Sequence, residues 1–244
     1  MNGYRDPDAK EIAARKPVAA ALAALMLLVA APSAAPAGDA TLDWRFQVSL
    51  DGKDIGFHEF TVKEQGERRV LETRAEFDVK FLFINAFRYR HQNTEVWRDG
   101  CLASIDAQTN RNGDKLVVRG ERQEDGFSVV DSGGEKTLPG CVQTFAYWNP
   151  DVLEAGRLLN SQTGEYEEVE AVLEGEDRIE VDGEPVEALR YRLEARAGDI
   201  TLWYSAQERV WLALEAPARG GRTIRYEPVN VPEAPANLLL AENR

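Results

Sequence analysis

The sequence contains few of the residues from which catalytic and metal sites are usually built. Its 244 residues include two cysteines and two histidines, His58 and His91. It has no Gly-x-Ser-x-Gly elbow, no phosphate-binding glycine loop, no His-Glu-x-x-His and no paired-cysteine zinc motif. The familiar hydrolase, nucleotide-binding and zinc signatures are therefore excluded. No catalytic residue, metal ligand or cofactor is predicted.

Positive charge is also scarce. The chain has 29 lysines and arginines against 42 aspartates and glutamates, a formal net charge of −13 at pH 7. Nucleic acids and anionic membrane surfaces are bound through basic patches, which an acidic chain of this kind does not favour. Nucleic acid is therefore not expected as a partner.

A single long apolar run is present, at residues 18–31, after a region that contains four basic side chains. Its 14 residues are too few for a helix to span about 30 Å of hydrocarbon. Ala35-Pro36-Ala37 then supplies the small residues that a signal peptidase recognises. We expect residues 1–37 to be a signal peptide cleaved near Ala37, which makes the protein periplasmic, without stable membrane insertion after cleavage. The alternative is a membrane anchor.

Cys101 and Cys141 both lie in the exported part of the chain. An even number of cysteines in an oxidising compartment indicates a disulfide. The alternative is a pair of buried thiols that behave as small hydrophobic side chains.

The rest of the chain shows the period-2 alternation of half-buried β-strands. Leu42, Trp44, Phe46 and Val48 alternate with polar residues, and similar segments recur between turn pairs such as Asp51-Gly52 and Asn112-Gly113. About a dozen strands follow one another without a linker. The pattern predicts an all-β fold: a strongly curved antiparallel sheet, half-barrel or barrel, formed by one domain over residues 38–228. Residues 229–244 are expected to form a proline-rich tail.

Two segments break the alternation. Residues 81–87 are an apolar run, which suggests a short helix or loop over one end of the sheet. Residues 141–150 combine three aromatics with an Asn-Pro break, and Asn149 and Pro150 have the pattern of a helix N-cap and first helical residue. Both segments are predicted to be lids or plugs near the open side of the sheet.

The segment 89–97 places polar and aromatic residues on one side of a strand. Tyr89, His91, Asn93, Glu95 and Trp97 share that side, and the residues between them, Arg90, Gln92, Thr94 and Val96, share the other. His91 and Glu95 are about 13 Å apart in a strand, too far to share a proton or a metal. If the aromatic side faces inward, these polar groups require partners: one another, the backbone or a ligand.

Aromatic side chains with a few polar groups are typical of pockets for apolar ligands, although such residues also form ordinary cores. The predicted ligand-binding set is Trp44, Phe46, Tyr89, His91, Glu95, Trp97, Phe145, Tyr147 and Trp148.

Several stretches carry a family resemblance. They are residues 44–58, with Asp-Gly-Lys-Asp-Ile-Gly; 89–97; 144–150, Thr-Phe-Ala-Tyr-Trp-Asn-Pro; 158–164; and 203–204. They resemble an uncharacterised family of exported proteobacterial proteins, over nearly all of residues 43–226. A looser similarity is to periplasmic β-proteins whose architecture is like that of the carriers LolA and LolB. That resemblance implies a curled sheet with a helical lid over an apolar cavity, and it implies no catalytic residues.

The leading hypothesis is a non-enzymatic binder or carrier of an apolar or amphipathic ligand, such as a lipid. The first alternative is an envelope interaction protein with a filled core. The second is an enzyme that uses His58, His91 and Glu95, for instance with His58 facing Glu95 across neighbouring strands.

Overall fold

The structure is a computed structural model that describes residues 40–81 and 84–233. The predicted signal peptide, residues 1–37, and residues 234–244 of the predicted tail lie outside the described residues.

Nearly all of the described chain is β-structure. The only helix described is a 3₁₀ helix, Pro150–Leu153. Over residues 40–81 and 84–233, no helix is long and apolar enough to cross a membrane. The strands are β1 Thr41–Leu50, β2 Lys53–Gln65, β3 Arg68–Phe81, β4 Ile84–Arg98, β5 Cys101–Arg111, β6 Asp114–Gln123, β7 Gly126–Asp131, β8 Gly134–Leu138, β9 Gln143–Thr144, β10 Arg157–Leu159, β11 Tyr166–Glu168, β12 Glu170–Val181, β13 Glu184–Glu194, β14 Ile200–Ser205, β15 Trp211–Ala218 and β16 Arg222–Asn230.

Thirteen strands form one antiparallel sheet in the order β12-β13-β14-β15-β16-β1-β2-β3-β4-β5-β6-β7-β8. Within this sheet, strands that pair are consecutive in the sequence, except for β1 and β16, which pair with each other. Leu50 pairs with Ile224 and Arg45 with Asn230. Among the described strands β8 and β12 are the edges, so the sheet is an open half-barrel. The predicted fold class is confirmed.

Four hairpins are closed by the two-residue turns that the sequence indicates. Asp51-Gly52, Asp99-Gly100, Asn112-Gly113 and Asp182-Gly183 all have positive φ at both positions. Two left-handed residues in succession form the turn that matches the twist of paired strands, and Asn-Gly and Asp-Gly adopt it most readily.

Gly56 marks a close approach between two strands. Its φ is +142°, and a Cβ built on it would collide with the carbonyl oxygen of Glu76 on β3. The pairing of β1 with β2 shifts register beside it, between Val48 and Ser49. Only glycine fits this position without displacing the neighbouring backbone.

The expectation of a helix or loop over residues 81–87 was wrong for most of that segment. Phe81 ends β3, Ile84 begins β4, and Phe87 pairs with Val79 inside the hairpin, while residues 82–83 lie outside the described part. The pairing shifts register between Val79 and Lys80. This irregularity accounts for the broken alternation that suggested a lid.

β16 continues beyond Pro228, which was expected to end the sheet. Pro228 pairs with Phe46 at a register shift of β1, and the strand runs on to Asn230. A proline lacks the N–H of a regular ladder, but it is tolerated at such an irregularity. The pattern also missed β8, whose side chains are largely exposed.

Residues 139–169, which we call the plug, connect the two edge strands β8 and β12. The plug contains the 3₁₀ helix and a small sheet in the order β11-β10-β9. Asn149 caps the helix by accepting a hydrogen bond from the backbone N–H of Asp151, as predicted. Val142, Trp148, Leu158 and Leu159 are almost completely buried in the main core. The plug is therefore an integral part of that core.

Candidate functional site

The inner face of β4 carries the polar and aromatic residues that the sequence analysis singled out. Tyr89, His91, Asn93, Glu95 and Trp97 are all buried, and the side chains between them are exposed or partly exposed. Alternation along a strand produces this separation once the aromatic side packs against the core. A histidine, an amide and a carboxyl group therefore lie inside the half-barrel.

Glu95 is the centre of a hydrogen-bonded cluster. Its side chain is completely buried, and it accepts hydrogen bonds from Asn93 Nδ2 to Oε1 at 2.8 Å, from Trp97 Nε1 to Oε2 at 3.0 Å and from Thr144 Oγ1 to Oε2 at 3.1 Å. The first two donors are on β4, and the third is on β9 in the plug. Burial raises the pKa of Glu95 to about 7, although the three hydrogen bonds oppose that rise.

The two histidines lie in one cross-strand row. His58 on β2 is opposite Ala75 on β3, and Ala75 is opposite His91 on β4. His58 Nδ1 is 3.1 Å from the hydroxyl of Tyr226, and His91 Nδ1 is 2.8 Å from that of Thr109. Burial lowers the pKa of His91 to about 4 and that of His58 well below its ordinary value. Both imidazoles are therefore neutral at pH 7.

The arrangement does not place His58 opposite Glu95. The cross-strand neighbours of Glu95 are Leu71 on β3 and Ile105 on β5, both apolar. Among the described residues, no group of three His, Cys, Asp or Glu side chains is placed to hold a metal ion. The geometry therefore gives the enzyme hypothesis no acid–base pair between these residues.

A polar layer separates the two hydrophobic clusters of the sheet. His58, Thr73 and Asn93 are placed by register between the large cluster around Phe46 and Phe60 and the small cluster around Phe77 and Tyr89. Within residues 40–81 and 84–233, His58 Nε2, Thr73 Oγ1 and Asn93 Oδ1 are buried without a hydrogen-bond partner. Such atoms are costly to bury and call for a partner such as ordered water.

Four of the predicted ligand-binding aromatics pack against other rings of the core. The ring of Phe46 is 4.3 Å from that of Trp211, and Tyr147 is 5.3 Å from Trp211. Trp44 donates its indole N–H to the carbonyl of Trp211, and Phe145 contacts Tyr147. These contacts fill the space that an apolar cavity around these four residues would need.

Two other predicted residues, Trp97 and Trp148, line a cleft of about 670 Å³. Their rings pack edge to face, with centroids 5.8 Å apart. The cleft lies where the β2–β3 and β4–β5 turns meet the plug. Its other lining residues are Glu64, Gly66, Glu67, Arg68, Arg69, Arg98, Asp99, Gly100, Cys141, Gln143, Asn149 and Asp151.

The predicted disulfide closes one side of this cleft. Cys101 is bonded to Cys141, with Cα atoms 5.2 Å apart. The neighbouring backbone N–H of Leu102 donates to the carbonyl of Val142, and Gln143 Nε2 donates to the carbonyl of Gly100. The start of the plug is thus attached to β5 by a covalent bond and hydrogen bonds.

The cleft holds three arginines in a chain that is strongly acidic. Arg69 pairs with Glu64 at 3.5 Å. Arg68 and Arg98 are directly opposite each other on β3 and β4, and neither has an acidic partner within the described ranges. Arg68 instead donates to the side-chain oxygen of Gln65. Like charges at opposed strand positions repel each other, although solvent screens the repulsion because both side chains are exposed.

Trp148 adds a buried donor to the cleft. Its side chain is 2% exposed, and its Nε1 has no hydrogen-bond partner in the described part of the chain. Sequence reasoning identified this tryptophan as an aromatic but missed Arg68, Arg98 and Thr144. The two arginines become neighbours only when β3 and β4 are paired as a hairpin, with Arg68 opposite Arg98.

A shallower groove of about 350 Å³ crosses β3 to β6. Its walls are formed by the residues flanking Ala75 and His91, and the inner-face residues Thr73 and Asn93 do not line it. The groove therefore lies on the outer face, and His91 contributes only backbone to its floor.

Comparison with known proteins identifies the family. Residues 46–229 match the model of a domain of unknown function, DUF6134, and the chain belongs to that family. No curated protein sequence matches the chain. Among solved structures, the crystal structure of a beta-barrel-like protein of domain of unknown function DUF1849 from Brucella abortus is similar, with a TM-score of 0.57 and 12% identity over 79% of this chain and 98% of that one. At this identity the likeness concerns the fold alone.

Proposed function

We propose that the protein is a non-enzymatic binding protein whose ligand is amphipathic, with an anionic group, and occupies the 670 Å³ cleft. The observation that carries this proposal is the directly opposed pair Arg68 and Arg98, which are exposed at the rim of the cleft that Trp97 and Trp148 also line. Small-molecule sites typically combine aromatic lining residues with a small number of polar groups that point toward the ligand.

The arginine pair defines the head group. An anion bound between two guanidinium groups on paired strands receives charge-assisted hydrogen bonds from both. Arginine binds carboxylate, phosphate or sulfonate oxygens through paired N–H groups. An anionic group at this point would relieve the repulsion between Arg68 and Arg98.

The tryptophans define the apolar part and one further contact. Trp97 and Trp148 pack edge to face and line the cleft, with 3% and 2% of their surfaces exposed. The unpartnered N–H of Trp148 can donate to a ligand oxygen that would otherwise lose its hydrogen bond with water. The tight ring packing around Trp44 and Phe46 favours a ligand held at this cleft over a lipid chain enclosed in the large core.

We also propose that the protein is exported to the periplasm, with cleavage near Ala37. Two observations support this. The apolar run at 18–31 is followed by small residues, and Cys101 is bonded to Cys141, which an oxidising compartment favours. Intact-mass measurement of the protein from its native host gives the test: a chain beginning at Gly38 is expected, and a chain retaining residues 18–31 would contradict the proposal.

The ligand proposal is tested by calorimetry with three probes that share a ten-carbon chain: decane-1-sulfonate, decylphosphocholine and decyl maltoside, all below their micelle-forming concentrations. The sulfonate is expected to bind most tightly. The double variant R68Q/R98Q is expected to weaken sulfonate binding about ten-fold or more, because two charge-assisted contacts are lost. Maltoside binding should not change.

The matched control is R119Q, since Arg119 is an exposed arginine on β6 that does not line the cleft. Trp148→Phe keeps an aromatic ring but removes the N–H together with the rest of the indole, and a few-fold loss is expected. Equal binding of all three probes, or undiminished sulfonate binding by R68Q/R98Q, would overturn the proposed head group. Native mass spectrometry of the periplasmic protein, before and after denaturation, shows whether a ligand of this class is carried.

A second candidate function is docking of an envelope partner on the edge strand β12. Leu173 on this strand is 55% exposed, and β12 is one of the two edges of the described sheet. The pairing with β13 shifts register between Leu173 and Gly175, a feature that limits further strand addition. If L173K, but not R68Q/R98Q, abolished retention on isolated envelopes, docking would be the better proposal.

A further inference from the structure

Glu95 connects the candidate cleft to the plug. One of its oxygens, Oε2, accepts both the indole N–H of Trp97, which lines the cleft, and the hydroxyl of Thr144, which lies one residue beyond the cleft residue Gln143. Glu95 itself does not line the cleft. The carboxyl group thus supports one tryptophan wall of the cleft from behind and holds the adjoining plug strand against it.

We propose that Glu95 is a positioning residue for the cleft, and that protonation of its carboxyl group loosens the hold on Trp97 and weakens ligand binding. This inference rests on the proposed function for its ligand-binding part, and it adds a proton-linked regulation of the same site.

The physical reason is the number of acceptors. An ionised carboxylate can accept all three hydrogen bonds, and each is strengthened by the charge. When one oxygen is protonated, Asn93, Trp97 and Thr144 share an uncharged acceptor with fewer lone pairs. All three hydrogen bonds then lose their charge assistance. The Trp97 indole, which shares Oε2 with Thr144, is directly affected.

The side chains that surround Glu95 provide no positive charge that would stabilise its ionised form. Its cross-strand neighbours Leu71 and Ile105 are apolar, and the plug contributes the neutral Thr144. By register, His91 on β4 and Arg69 on β3 lie on the same inner face; His91 is neutral at pH 7, and Arg69 pairs with Glu64. Burial raises the pKa of Glu95 to about 7, so the proton is exchanged near neutral pH.

The direct test follows the indole N–H resonance of Trp97 by NMR from pH 5 to pH 9, with its assignment from the resonance missing in Trp97→Phe. The resonance is expected to titrate with a midpoint near 7, and not to titrate in E95Q. E167Q is the matched control, because Glu167 is a second buried carboxyl that accepts from Asn160 and does not contact Trp97. An unchanged titration in E95Q, or none in the wild type, would overturn the inference.

The second readout is decane-1-sulfonate binding, since a sulfonate keeps its charge over this range. The dissociation constant is expected to rise about five-fold from pH 8 to pH 6 in the wild type and to stay constant in E95Q. Binding that is independent of pH would overturn this inference and leave the proposed function in place. If the resonance titrates but the sulfonate does not bind, the proposed function fails and the support of Trp97 by Glu95 stands. Should E95Q fail to fold, Thr144→Val provides the NMR comparison.

Discussion

His91 and Glu95 lie four residues apart on the same inner face of β4, and burial shifts the pKa values of their side chains in opposite directions. The pKa of His91 falls from 6.5 to about 4, and that of Glu95 rises from 4.5 to about 7. Both shifts favour the neutral form, because neither side chain has an opposite charge beside it. The two residues therefore make opposite contributions to the pH dependence of stability.

The contribution of Glu95 decreases as pH rises from 4.5 to 7, because the folded state holds its proton through that interval and must give it up above it. The contribution of His91 decreases as pH falls from 6.5 to 4, because the unfolded state binds the proton first. Each amounts to about 3 kcal/mol, so the two slopes largely cancel between pH 4.5 and 6.5.

Glu95→Gln is therefore expected to make stability rise steeply with pH, because the histidine contributions are no longer opposed. The increase between pH 4.5 and 6.5 should exceed that of the wild type by about 3 kcal/mol. His91→Asn should change the slope in the other direction, although His58 then still opposes Glu95. Urea unfolding at pH 4.5, 5.5 and 6.5 measures both variants. Parallel curves for wild type and E95Q would contradict the burial-induced rise in the pKa of Glu95.

The disulfide is expected to contribute substantially to stability. Cys101 and Cys141 are 40 residues apart, and closing a loop of that length reduces the entropy of the unfolded chain by an amount worth about 4 kcal/mol. The double variant C101S/C141S should lower the urea midpoint accordingly. As a control, adding reductant should lower the urea midpoint of the wild type but not that of C101S/C141S. This comparison separates loss of the bond from loss of packing.

Gly56 is expected to tolerate no side chain. In Gly56→Ala the new Cβ meets the Glu76 carbonyl oxygen and the backbone must keep a positive φ, which together should cost about 3 kcal/mol. Gly156→Ala is the control, since nothing lies within 4 Å of its Cβ and its φ is not in the left-handed region. Chemical denaturation of the two variants measures the difference. Equal midpoints would show that the β2–β3 approach is looser than described.

Much of the fold was predictable because its determinants are local. Alternation along 41–50 and 89–97 and the Asp-Gly and Asn-Gly turns depend only on neighbouring residues, and they indicated the strands and which residues share each side of β4. The pairing of β1 with β16 was not predictable, since it joins Leu50 to Ile224 across almost the whole chain. No local pattern specifies which strands meet at the centre of a sheet.

In the candidate site, too, the residues set by local pattern were predictable and those set by long-range packing were not. Glu95 and Trp97 were identified from their shared side of a strand. Their partner Thr144 was not, because it depends on where the plug docks. Arg68 and Arg98 were missed because their opposition requires the register of the β3–β4 hairpin, whose turn was interpreted as a lid.

Thr144 provides a final prediction for the Glu95 cluster. Its hydroxyl donates to Glu95 and so lowers the pKa of that carboxyl group, against the larger effect of burial. Thr144→Val keeps the shape of the side chain and removes the donor, so the pKa of Glu95 should rise further and the midpoint of the Trp97 indole resonance should move above pH 7.

The stability of T144V should also depend on pH. Its free energy of unfolding at pH 8 should fall by about 1–2 kcal/mol, because the ionised carboxylate loses a donor, and it should fall less at pH 5, where the carboxyl is protonated. Gln108→Ala, at an exposed site on β5, is the control and should leave the midpoint unchanged. A midpoint that moves down in T144V would show that the plug hydroxyl does not act as a donor to Glu95.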